Sequence, residues 1–112
     1  MRHWLLLPIS FLLWSCATGG YHIVTGTRAA KYSESSGVIL YGVDSGQPQP
    51  PPGCPVLGTV RAWSFGEKTF PYDQLRAAAA ELGGDSVVGI HPDPAATDRT
   101  RPTHLGIVQR CR

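Results

Sequence analysis

One stretch of this chain has helical periodicity with both ends marked, and it is set among segments with the composition of strands and turns. It reads "PYDQLRAAAAELGG", residues 71–84. Pro71 suits a first turn, where its missing N–H costs nothing. Asp73 complements the positive end of the helix dipole. Leu75, Ala78, Ala79 and Leu82 fall at i, i+3, i+4 and i+7, which makes one apolar stripe. Four consecutive alanines keep that stripe flat enough to lie close on a sheet. Gly83 can take the left-handed conformation that ends a helix. The spacing predicts a helix over 71–82.

Around it, β-branched and aromatic residues alternate with turn-forming runs. "YHIVTGT" (21–27), "VILYGV" (38–43), "VLGTVRAWSF" (56–65), "DSVVGIH" (85–91) and "THLGIVQRC" (103–111) all read as strand segments. The polar run at 28–37 and the Pro/Asp/Thr run at 92–102 read as loops. Gly (13) and Pro (10) together exceed a fifth of the 112 residues, which favours a small sheet-containing domain over a helical bundle. The expected fold is α+β: a small mixed sheet of about four strands with one main helix packed on one face, built on a strand–helix–strand–strand core. The strands flanking the helix can run parallel through a right-handed crossover. The last two should form an antiparallel hairpin with a long loop. Hydrophobic residues at 42% and charged residues at 16% exclude a disordered polyelectrolyte and a membrane bundle.

Residues 44–55, "DSGQPQPPPGCP", carry five prolines. Proline lacks an N–H and has a fixed φ, so this segment cannot sit inside a sheet. It should be an extended, polyproline-type connector, with a PxxP-like docking site as the functional alternative to a stiff spacer.

The N-terminus, "MRHWLLLPISFLLWSC", has the parts of an export signal. Arg2 gives a positive start, and residues 4–14 form an apolar run too short to span a bilayer as a helix, which takes about 20 residues. A buried N-terminal helix is disfavoured by Pro8 and by the all-round apolar pattern. Leu13-Trp14-Ser15-Cys16 resembles the lipobox of bacterial lipoproteins, although Trp14 stands where a small or β-branched residue is usual. The resemblance implies that Cys16 is diacylated and becomes the first residue of the mature chain. Ala17, rather than Asp, follows it, which in such lipoproteins implies sorting to the outer membrane. More than one acyl chain is needed for stable anchoring, at about 0.8 kcal/mol per buried CH₂, and a diacylglyceryl group supplies them. The alternative is ordinary cleavage after Ala17, which releases a soluble periplasmic or secreted protein. The chain thus divides into a signal peptide (1–15), a lipidated tether (16–20), N-terminal strands with the Pro-rich connector (21–55) and the α+β core (56–112).

Three cysteines are an odd number. Acylation blocks Cys16 and cleavage after Ala17 discards it, so either route leaves Cys54 and Cys111 as a pair in a compartment that permits disulfides. Two free thiols are the alternative. A redox or metal role has little support, since there is no CxxC and neither cysteine has a histidine within four residues.

"LRAAAAELGGDSVVGI" (75–90), "VLGTV" (56–60) and "HLGIVQR" (104–110) together resemble the small bacterial domains of the family labelled heavy-metal-binding, and the Rcs-sensor-lipoprotein-like proteins of the outer envelope. The opening "IVTGT" (23–27) is faintly similar to theirs. The resemblance covers about half the chain. It implies a compact α+β fold with the helix on one face of the sheet, and it says little of function, because its residues pack and turn rather than react.

Catalytic patterns are absent. "GVDSG" (42–46) lacks the G-x-S-x-G spacing of a nucleophile elbow and reads as a turn. "GGD" (83–85) ends a helix instead of opening one, so it cannot cradle a phosphate. There is no HExxH and no GxGxxG, so no enzyme and no cofactor is expected. His91 and His104 flank the last loop and, with Asp93, are the candidates for a weak metal site; two loop-edge histidines are the plainer reading. Trp63 and Phe65 share one side of a strand, with Tyr41 expected nearby, as core packing or as a face for a partner or glycan. Without Arg2 the charge balance is nine basic against eight acidic side chains, which gives no argument for nucleic acid. Arg99, Arg101, Arg110 and Arg112 form a solvated edge, with anionic lipid or cell-wall material as the alternative contact. The expected role is that of a lipid-anchored envelope protein of structural, binding or stress-sensing type, with the membrane and an envelope protein as partners; a metal-binding module is the alternative.

Overall fold

The computed structural model describes residues 19–30, 33–47, 49–65, 70–96 and 102–112. Cys16 and the leader, Arg99 and Arg101 lie outside them. The described elements are strand β1 (Gly19–Thr25), a single 3-10 turn (Ser35–Gly37), strands β2 (Ile39–Leu40) and β3 (Val56–Ser64), helix α1 (Tyr72–Glu81), and strands β4 (Ser86–Pro92) and β5 (Thr103–Gln109). The strands form one mixed sheet in the order β1-β3-β5-β4-β2. This is the expected α+β class with five strands in place of about four. β1 begins inside the glycines assigned to the tether. Of the 38–43 segment only two residues enter the ladder.

α1 explains the architecture. Leu75, Ala78 and Ala79 are fully buried and Leu82 is nearly so, as the stripe requires. They pack on Val60 and Ala62 of β3, Val87 of β4 and Val108 of β5. Burying a leucine contributes about 1.5–3 kcal/mol, and the alanines between the leucines let the helix approach the sheet. Its C-terminus closes as a Schellman motif: Gly83, with φ +76°, donates to Ala80 O, and Gly84 donates to Ala79 O. Ala29 N then donates to Glu81 O, Ser33 N to Ala80 O, and Ser33 Oγ to Gly84 O at 2.7 Å. The chain between β1 and β2 therefore passes across the end of the helix and satisfies carbonyls that the helix leaves open. Glu81, unfavourable at this negative end, is paired with Arg28.

The strands flanking α1 do run parallel, but they are not neighbours. β5 lies between β3 and β4 and is antiparallel to both, so the hairpin expected at the C-terminus inserts into the crossover. On β5, Gly106 and Val108 face the helix side, beside Leu75 and Val87. β4 carries a bulge between Val88 and His91, where Gly89 takes φ +63°, the usual accommodation for the extra residue.

β2 closes the far edge of the sheet. It pairs in parallel with β4, and the chain then turns at once. Val43 N and Asp44 N both donate to Leu40 O, and Leu40 N donates to Asp44 Oδ2. Arg76 of α1 binds Asp44 and Asp73. The "GVDSG" segment is this turn, as expected.

Candidate functional site

The helix covers one face of the sheet. The other face carries the residues of interest, and the Pro-rich segment passes in front of part of it. Alternation along β3 sends Arg61 and Trp63 to this face, and their β1 partners are His22 and Gly20. The His22 ring meets Trp63 edge-on, with centroids 5.0 Å apart. Phe65, just beyond β3, is 50% exposed. Tyr41 does not join them: it follows β2, at the opposite edge of the sheet from β1. In place of the expected neighbourhood of Trp63, Phe65 and Tyr41, the ring that meets Trp63 is His22.

The loop after β4 is anchored on Asp93. Its side chain is only 5% exposed, and Oδ2 lies 2.7 Å from Arg61 Nε. The contact is an ion pair rather than an in-line hydrogen bond. Oδ1 accepts Ala95 N, and the Asp93 amide donates to Thr103 O. An unpaired buried carboxylate is costly, so Arg61 is the residue that allows Asp93 to sit there.

This engagement changes the reading of the histidines. His91 is opposite Leu105, and Pro92 is opposite His104. His91 and His104 are thus one residue out of step, and the register sends them to opposite faces. His91 Nδ1 donates to Gly89 O at 2.7 Å. His104 is 8% exposed on the helix side, edge-on to Phe70, and its Nδ1 is buried without a partner. Burial, and secondarily the nearby His91, lowers its pKa below the usual 6.5. Asp93 is committed to Arg61. The structure does not gather His91, His104 and Asp93, and no group of three metal-binding side chains occurs among the described residues.

Cys54 and Cys111 are joined by a disulfide, with Cα atoms 4.8 Å apart. A carboxylate positions the C-terminal partner. Asp85 stands between the helix-ending glycines and β4. Its Oδ1 accepts Cys111 N at 2.8 Å and Ser86 Oγ at 3.0 Å, and its Oδ2 accepts Arg112 N at 2.8 Å. The Arg112 guanidinium lies 3.7 Å from Oδ2 and donates to Gly37 O. Burial alone would raise the Asp85 pKa. The Cys111 amide, the Ser86 hydroxyl, the Arg112 amide and the Arg112 charge outweigh it, and the carboxyl is held below its ordinary value. In the sequence Asp85 reads as the last residue of the helix-ending "GGD" and the first of the strand segment 85–91. Its ligands come from 26 and 27 positions away, and no local pattern announces them.

On the open face, the Pro-rich segment and the sheet enclose a groove of about 510 Å³. Pro50, Pro51 and Pro52 stand on one side, and Val88, Ile107 and Gln109 on the other. Ile107 is 38% exposed, and Gln109 Oε1 is buried without a partner. The lining is mixed, apolar side chains alternating with amide groups, and none of its residues is charged.

No family model, curated protein or solved structure matches this chain. No helix among the described residues is long and apolar enough to cross a membrane.

Proposed function

We propose that this protein is a lipid-anchored component of a bacterial cell envelope, tethered through Cys16 at the outer membrane and facing the periplasm. It acts by binding, in a structural or stress-sensing role, and not by catalysis. The observation that carries the reading is the pairing of Cys54 with Cys111. It removes two of the three cysteines and leaves Cys16, at the end of an apolar run that has the form of an export signal. A disulfide between chain segments this far apart also fits a compartment that permits such bonds. The open face of the sheet, with Arg61, Trp63, His22 and Phe65, is the surface offered to an envelope protein, and the short stretch from Cys16 to β1 would keep that surface near the membrane.

Intact mass of protein extracted from bacterial envelopes tests the anchor. The expected species begins at Cys16, carries a diacylglyceryl group, and is two daltons lighter than the dithiol form. A chain that begins after Ala17, or an unmodified Cys16, overturns the anchor in favour of a soluble exported protein. For the binding face, crosslinking in envelopes should capture a protein partner with the native chain and lose it with His22→Glu, a change at an exposed residue that leaves the Arg61–Asp93 pair in place. Capture that is indifferent to His22→Glu would move the interface elsewhere.

A further inference from the structure

We propose that the Pro-rich segment is a redox-released strap: while Cys54–Cys111 is closed it forms one wall of the groove over Val88 and Ile107, and when the bond is reduced it leaves this face of β4 and β5 open. The proposal is independent of the lipid anchor.

The argument rests on how unequally the two ends of the disulfide are held. Cys111 belongs to a tail with several attachments. Its own amide and that of Arg112 donate to Asp85, and the Arg112 side chain reaches both Asp85 and Gly37 O. Cys54 belongs to a segment with almost none. Pro50, Pro51, Pro52 and Pro55 have no N–H to donate. Among the described residues, one hydrogen bond joins residues 49–55 to the sheet, from Arg110 N to Pro55 O. The contact of Cys54 Sγ with Pro51 O lies within the strap itself. The groove shows that the strap stands off the sheet rather than packing into it, since Ile107 keeps 38% of its surface exposed. None of the buried core residues belongs to the strap. Breaking the covalent tie therefore frees the Cys54 side, while the Cys111 side stays in place.

Both cysteines are partly exposed, so a dithiol can reach the bond. One thiolate of the dithiol attacks a sulfur of the disulfide and forms a mixed disulfide, releasing the other cysteine as thiolate. The second thiol of the reductant then displaces the first cysteine. Two electrons and two protons pass to the protein as the Cys54 and Cys111 thiols, and the reductant leaves as its own disulfide. Air or a quinone-linked oxidase reverses the change.

Methyl-resolved NMR of the protein, oxidised and then reduced with dithiothreitol, tests this. In the oxidised protein the strap should shield the Val88 and Ile107 methyls in part from a soluble nitroxide. Reduction should raise the relaxation of both methyls by that probe. The Val60 and Leu75 methyls should not move, and the Cys111 and Arg112 amides should remain protected from exchange. C54S without reductant should reproduce the reduced state. Unchanged relaxation of both methyls after reduction overturns the proposal. So does release of the tail instead of the strap, and so does loss of the Val60 and Leu75 signals, because the bond would then be holding the fold and not the strap.

Discussion

Asp85→Asn isolates the carboxylate that positions the C-terminal tail, and its cost can be worked from the contacts. The native carboxylate accepts two successive backbone N–H groups, from Cys111 and Arg112, each at 2.8 Å, on a side chain that is 16% exposed. Hydrogen bonds to a charged group contribute about 1.5–3 kcal/mol each. Partial exposure puts these near the lower end, so the pair contributes about 3 kcal/mol. Asparagine keeps one acceptor and turns an NH₂ group toward the other amide, which removes about half of that, roughly 1.5 kcal/mol. A loss of this size in a domain of this length lowers the thermal midpoint by about 6–12 °C. Thermal unfolding of both oxidised proteins by circular dichroism at neutral pH measures it. The pH dependence gives an independent sign. Because the folded state holds the Asp85 pKa below its ordinary value of 3.8, its stabilisation is fully present above that value and is lost as pH falls through the folded-state pKa. The gap between native and variant should therefore narrow in acid below 3.8. Equal midpoints at neutral pH, or a gap that persists undiminished in strong acid, would refute the assignment of Asp85 as the anchor of the tail.

Other perturbations have equally definite outcomes. Replacing Cys54 and Cys111 by serine opens a loop with a sequence separation of 57, and the chain-entropy model expects a loss of about 4 kcal/mol, to be read from urea unfolding. His104 has its pKa lowered in the folded state, so the unfolded chain binds that proton more readily and stability is lost as pH falls from 6.5 toward the folded-state pKa. His104→Gln should flatten that slope, compared by urea midpoints at about pH 7.5 and about pH 5.5. Gly83→Ala forces a Cβ into φ +76° and should cost about 1 kcal/mol, visible as a lower midpoint with an unchanged far-ultraviolet spectrum.

The helix could be read closely from the chain because every signal for it is local. The proline, the stripe and the glycine stop lie within fourteen consecutive residues, and the structure places α1 over Tyr72–Glu81 with Leu82 and Gly83 as its cap. β3, β4 and β5 were legible for the same reason, to within two residues at each end. The insertion of β5 between β3 and β4 was not, because strand order is set by pairing between segments far apart in the chain, which no local pattern announces. β2 was overestimated: Val38–Val43 has strand composition throughout, yet the Asp44 side chain captures the Leu40 amide and ends the strand after two residues. The cysteine pair could be inferred by counting. Its support from Asp85 could not, nor could the Arg61–Asp93 ion pair, since both join residues far apart in the chain. The alternative of a shared His91–His104 site fails by a single step of register, the smallest shift that sends a side chain to the other face, and the plainer reading of two loop-edge histidines missed the burial of His104.

The turn after β2 has a consequence for how these molecules meet one another. A terminal strand normally presents a row of free amides and carbonyls on which a foreign strand can crystallise. Here the outward N–H and C=O of Leu40 are already consumed by Asp44 and Val43 of its own turn, and Arg76 clamps that turn to the helix. At β2 itself the sheet offers no template, and a single aspartate withholds those groups from a neighbouring chain; that protection matters most where chains are crowded side by side on a surface.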